Sequence, residues 1–201
     1  LGAGDGFREA HVFPPVGFPS FSKLDVGAFL GSWGKFYREV HSVADIADVK
    51  LPPVEHAMGV GAVMMHSVTI EKDLAAIKKM TKSGQLYRYT GQSVDGLIQR
   101  DKEAPRPSGP YALWTIPAVE ATQQAPHLAE KSYDDVVEMD LLGQVLTFAE
   151  YTRFFCWYLW ATGQPLDQQT WTLTGSLAAD GGVLGGGWND SGFGVGWCGR
   201  G

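Results

Sequence analysis

The stretch from Ser132 to Gly163, SYDDVVEMDLLGQVLTFAEYTRFFCWYLWATG, constrains the fold more than any other in the chain. Ser132 is followed three residues later by Asp135, a capping-box pattern in which a short side-chain oxygen accepts an orphan backbone N–H. Asp134, Asp135, Glu138 and Asp140 lie where negative charge meets the positive end of a helix dipole. Gly163 can take the left-handed conformation that closes a helix, and Pro165 opposes continuation. Between Leu141 and Thr162 the only formal charges are Glu150 and Arg153. These marks predict one long central helix over 132–163, with a low-charge run long enough to cross a bilayer.

Glu150 and Arg153 are one helical turn apart, a spacing that permits an ion pair. In a membrane an arginine near the centre costs about 2.5–3.5 kcal/mol, while each Leu, Val or Phe returns ~0.3–0.6 kcal/mol. Insertion alone is close to break-even. The expectation is a helix that meets a partner along Gly143, Thr147, Glu150 and Arg153.

The preceding chain predicts two more helices. From Ser22, Phe29, Trp33, Phe36/Tyr37, Val40 and Ala44 recur at three- and four-residue spacing, an aromatic stripe on one helix face. Gly27 and Gly31 form a small-xxx-small pair that lets another helix approach closely. Pro52 and Pro53 then open a second helix that runs to Gly84. Its first part, Ala57 to Ile70, has no Asp, Glu, Lys or Arg; its second part is amphipathic and ends in Lys78, Lys79 and Lys82. Short strands are plausible only at Gln85–Thr90 and Thr170–Thr174, where residues alternate.

The remainder reads as irregular. Residues 1–21 mix Pro and Phe and form an extended N-terminal arm, 22–100 a helical region, and 101–131 a Pro-containing linker and lobe. Residues 164–201 form a Gly/Trp-rich C-terminal extension, with Trp188, Phe193 and Trp197 set among glycines. The fold class expected is mainly α: about three long helices joined by irregular Pro/Gly-rich segments, with extended arms and little β. Ordering two such arms costs much conformational entropy, which favours partner surfaces that hold them.

Composition narrows the function. The net charge is −6 without a Lys/Arg cluster, which argues against nucleic acid. The 26 glycines and 7 tryptophans suit close backbone packing against flat aromatic surfaces. Cys156 and Cys198 make neither a metal pattern nor a redox pair, and two buried free thiols are expected over one disulfide. No initiator Met or signal pattern precedes Leu1, so a processed or trimmed start is expected. The five histidines lack tight metal spacing, and no nucleophile elbow, phosphate loop or dinucleotide fingerprint is present. A non-catalytic protein is therefore expected, without a metal.

Two local resemblances add to this reading. Gly31 and Trp33, in FLGSW, resemble the Gly-x-Trp signature that opens lipocalin barrels, which implies a soluble small-molecule carrier as the alternative; an enzyme with an unrecognised site is a third. Glu55-His56-Ala57-Met58, followed by small and apolar residues, resembles the pigment-ligating helix of light-harvesting chlorophyll proteins, although the Gly-Arg after that family's ligand is missing. This second resemblance implies an accessory subunit of an algal photosystem or antenna complex, at the plastid thylakoid membrane. It implies chlorophyll and carotenoid near His56, His66, Trp157 and Trp160, with other subunits and a lipid surface as partners.

Overall fold

The computed structural model of the chain describes residues 25–44, 46–53, 60–81, 93–115, 131–168, 171–190 and 192–200. Helix α1, Val26–His41, begins where the Asp25 carboxylate accepts the Ala28 N–H at 3.0 Å. It ends at Ser42, whose left-handed backbone (φ 56°) lets its N–H reach the Tyr37 carbonyl. Phe29, Trp33, Phe36 and Tyr37 of the expected stripe are buried. Nothing among the described residues approaches Gly31 within 4 Å, so none of their helices lies on it.

The next expectation fails. The apolar run after Ala57 contains strand β1, Val60–Met64, and the helix begins only at Ile70. A short charge-free run cannot be told by periodicity from a buried strand, and a partner far along the chain decides it. That partner is β2, Tyr111–Thr115, antiparallel to β1 from Val60↔Thr115 to Met64↔Tyr111. Helix α2, Ile70–Thr81, carries Glu71 and Asp73 in its first turn and Lys78 and Lys79 in its last, with the dipole satisfied at both ends. A four-residue helix, α3 (Val94–Leu97), is capped by Ser93. The strand expected at Gln85–Thr90 lies outside the described residues, as do the N-terminal arm 1–21 and His56.

The long central helix is two helices. Its capping box at Ser132/Asp135 forms as expected, but α4 covers only Tyr133–Glu138. Asp140 then turns left-handed (φ 55°), a 3-10 turn follows at Leu142–Gln144, and α5 runs from Phe148 to Thr162. A second capping box starts α5: Thr147 Oγ1 accepts the Glu150 N–H, and the Glu150 carboxylate accepts the Thr147 N–H at 2.7 Å. Gly163 closes it in the left-handed region (φ 69°). Among the described residues no helix is long and apolar enough to cross a membrane.

The expected C-terminal extension is a sheet. Strands β3 (Thr172–Leu177), β4 (Val183–Asn189) and β5 (Gly192–Cys198) are antiparallel in that order. The mainly helical fold class is thereby overturned: among the described residues, three helices of 12 to 16 residues stand beside five strands in two antiparallel sheets. Glycines carry no side-chain area, so sequence alone places them in an irregular tail. Here their bareness is what lets aromatic rings lie on the strands. A Cβ at Gly186 would sit 2.8 Å from a Tyr151 ring carbon, and one at Gly185 would sit 2.7 Å from the Thr172 carbonyl oxygen.

Helix α5 is the centre of the molecule. From Phe148 to Leu159 its residues are buried on every side, with Ala149 alone partly exposed. Trp157 stacks on Trp33 of α1 with ring centroids 5.0 Å apart, and Phe155 meets Phe193 of β5 at 4.4 Å. One continuous core therefore joins α1, α2, both sheets and α5.

Candidate functional site

Two charged residues of α5 sit inside this core, and each takes its partner from far along the chain. The Arg153 Nε donates to both carboxylate oxygens of Asp73, at 2.8 and 2.7 Å. Its Nη2 donates to the Val68 carbonyl at 2.7 Å and its Nη1 to the Tyr37 hydroxyl, which itself donates to the Val63 carbonyl at 2.5 Å. A buried guanidinium is costly unless paired and hydrogen-bonded, and here each of its three nitrogens is used. Burial pushes the Tyr37 hydroxyl well above the ordinary tyrosine range, against the nearby Arg153 charge. His41 and Cys156 border the same group: His41 Nε2 lies 3.0 Å from Asp73 Oδ1, and burial pushes the Cys156 thiol well up.

Glu150 forms the second centre, at the start of α5. Arg106 Nε donates to Glu150 Oε1 at 2.7 Å, and Nη2 reaches Oε2 at 3.2 Å and the Val145 carbonyl at 2.9 Å. The Tyr111 hydroxyl donates to Glu150 Oε1 at 2.7 Å. Burial works against the Arg106 charge, but the hydrogen bond and charge of Glu150 raise it overall. Burial and the same carboxylate both raise Tyr111. The expected Glu150–Arg153 ion pair is replaced by these two longer-range ties.

The expected partner-contact residues divide accordingly. Thr147, Glu150 and Arg153 are buried and bonded within the chain, while Gly143 is exposed in the 3-10 turn. Of the residues expected near pigment, Trp157 is buried against Trp33 and Phe154. Trp160 is partly covered by Phe36, with the Lys35 ammonium 5.9 Å from its ring centre. His66 is exposed, and its Nε2 lies 3.0 and 3.2 Å from the Gly109 and Pro107 carbonyls. The structure does not bring His66 together with Trp157 and Trp160 as neighbours in any ring contact; its ring contact is with Tyr111. Both thiols are free, as expected, but Cys198 is exposed.

The surface candidate is the outer face of the β3–β5 sheet. Residues 184, 186 and 188 of β4, paired with 197, 195 and 193 of β5, face α5. The alternate positions, Val183, Gly185 and Gly187 of β4 and Gly192, Gly194 and Gly196 of β5, face away and are buried as well. At one end Val183 and Leu177 pack beneath Tyr133 of α4 and Leu142. At the other end Trp171 lies across Gly185 and Gly194 beside Leu173, and these two side chains are 42% and 40% exposed. The sequence places Trp171 and Leu173 in one short strand and points to no role for them. The cue it holds is an aromatic residue and an apolar one two apart, opposite a glycine run.

Comparison with protein-family models, with curated proteins and with solved structures yields no match, so the arrangement itself is the ground for a functional reading.

Proposed function

We propose that this protein is a non-catalytic structural subunit that docks on another protein through Trp171 and Leu173, the exposed side chains at the outer edge of its glycine-rich sheet. One observation carries the reading: two large apolar side chains, Trp171 and Leu173, stay 42% and 40% exposed side by side over strands that are themselves buried. The occupant is an apolar or aromatic protein surface that covers these two side chains. A large ring of this kind buries considerable apolar surface, at about 25 cal/mol per Å², and tryptophan anchors are common where proteins meet. The non-catalytic part is supported by the use of the polar groups of α5. Thr147, Glu150 and Arg153 are bound into ties that hold the fold.

Membership of a membrane-associated assembly would be peripheral through the described residues, by this protein contact. Chlorophyll and carotenoid form no part of the proposal, because Trp157 is occupied inside the core and His66 Nε2 sits against two carbonyls.

The test compares the chain with a Trp171→Ala/Leu173→Ser variant, each expressed in source cells and sized in gentle extracts. The expected result is a defined complex with a stoichiometric protein partner for the unaltered chain. The variant should run at monomer mass with an unchanged circular dichroism spectrum. A monomeric unaltered chain, or a complex that survives the double substitution, would overturn the reading.

A further inference from the structure

Asp73 of the Arg153 tie has two further neighbours, His41 and Cys156, whose place beside it the tie does not explain. His41 closes α1, Asp73 is in the first turn of α2, and Cys156 is in the middle of α5. A ring nitrogen of the first, a carboxylate oxygen of the second and the sulfur of the third all lie within 4.8 Å of one another. The side chains of His41 and Asp73 are 2% and 1% exposed, and Cys156 is fully buried. His41 Nε2 is 3.0 Å from Asp73 Oδ1, yet it is not aligned as a hydrogen bond and has no other partner among the described residues. An unprotonated Nε2 this close to a carboxylate, off the hydrogen-bond line and away from water, is repelled by it unless a positive centre, a proton or a metal ion, lies between them.

We propose that His41, Asp73 and Cys156 form a buried site for a divalent transition-metal ion of the zinc type. One imidazole nitrogen, one carboxylate oxygen and one sulfur are the ligand set that such an ion takes in tetrahedral coordination, at about 2.0–2.3 Å. Tetrahedral ligands at those bond lengths stand roughly 3.3–3.8 Å apart, so the 3.0 Å His41–Asp73 separation opens slightly and the wider separations, none above 4.8 Å, close by up to about 1 Å. Asp73 has room for the ion. Its two oxygens offer about four lone-pair directions, and Arg153 uses one on each. Arg153 then acts as the outer-shell partner that orients the ligating carboxylate. The ion displaces the thiol proton, and the thiolate and Asp73 together balance its charge. Three protein ligands leave one position for water. Because the site is closed, the ion would be bound as the chain folds, joining α1, α2 and α5.

Cobalt(II) is the probe, used with the full chain carrying Cys198→Ser. The exposed thiol is then absent, and of the two cysteines only Cys156 remains. Chain refolded with cobalt should hold one ion and show a thiolate-to-cobalt charge-transfer band with the intense visible bands of a tetrahedral site. Zinc should displace the colour and raise the melting temperature above that in chelator. His41→Gln should lose the tetrahedral spectrum, and Cys156→Ala should lose the charge-transfer band. The band in the Cys198→Ser parent already identifies Cys156, so a variant that fails to fold does not block the test. A folded parent without cobalt bands would overturn the site. So would an unchanged spectrum in folded His41→Gln.

Discussion

Glu150 and Arg153 are close enough on α5 to pair with each other, yet Arg106 and Asp73 hold them instead. A pair one helical turn apart is worth only a few tenths of a kcal/mol on a solvated surface. Inside a core the requirement changes, because every buried charge needs an opposite charge and enough hydrogen bonds to replace water. Arg153 obtains them from three separate segments, which no other α5 neighbour could supply. Removing it strands Asp73. Arg153→Met should therefore cost about 3–5 kcal/mol in denaturant unfolding. Adding Asp73→Leu should cost much less than the sum of the two single changes, since the uncompensated charge goes with its partner. Additive losses in that cycle would show that the pair is not the tie described. None of this was legible locally: Asp73 and Arg153 are 80 residues apart and Arg106 and Glu150 are 44 apart. Sequence singled out the two charges on α5 and could not name their partners.

At the scale of elements, the ends were legible and the middles were not. The cap at Ser132, the stop at Gly163 and the buried stripe of α1 follow from side-chain chemistry within a few residues. The break between α4 and α5 does not, although Thr147-x-x-Glu150 is itself a helix-start pattern lying inside the run. The glycine-rich strands were illegible for a different reason. Strand signals come from side chains on a pleated surface, and β4 and β5 obtain their surface from rings on α5 and Trp171. Glycines with opposite roles should respond oppositely to the same change. Gly31→Ala adds a methyl group to open space within α1 and should stabilise by about 0.5–1 kcal/mol. Gly185→Ala drives a methyl group into the Thr172 carbonyl and the Trp171 ring and should destabilise by about 1–3 kcal/mol. Thermal melts of the two variants check the contrast, and equal shifts would mean the close approach in β4 is not tight.

Across the whole molecule, three buried tyrosines stand at joints between elements. Tyr37 joins α1 to β1 and Arg153, Tyr111 joins β2 to Glu150, and Tyr151 donates to Asp167 and lies against the Gly186 carbonyl of β4. Burial is the largest cause that raises each above the ordinary value of 10.0, and a nearby carboxylate (Asp73, Glu150 or Asp167) adds to it. In the unfolded chain these hydroxyls titrate near pH ~10. The unfolded state thus loses protons first as pH rises, and stability falls wherever it binds fewer protons than the native state. The contribution is complete below about pH 10 and is lost on going above it, by up to about 1.4 kcal/mol per pH unit for each tyrosine. Three acting together would give about 4 kcal/mol per unit, enough to unfold a domain of ordinary stability within one or two units. The tyrosinate absorbance of these three should therefore appear in one step with the loss of circular dichroism. Tyr111→Phe should reduce the steepness of that step by the share of one group. A smooth titration of all seven tyrosines near pH 10, with the native spectrum intact, would mean that these hydroxyls do not hold the joints together.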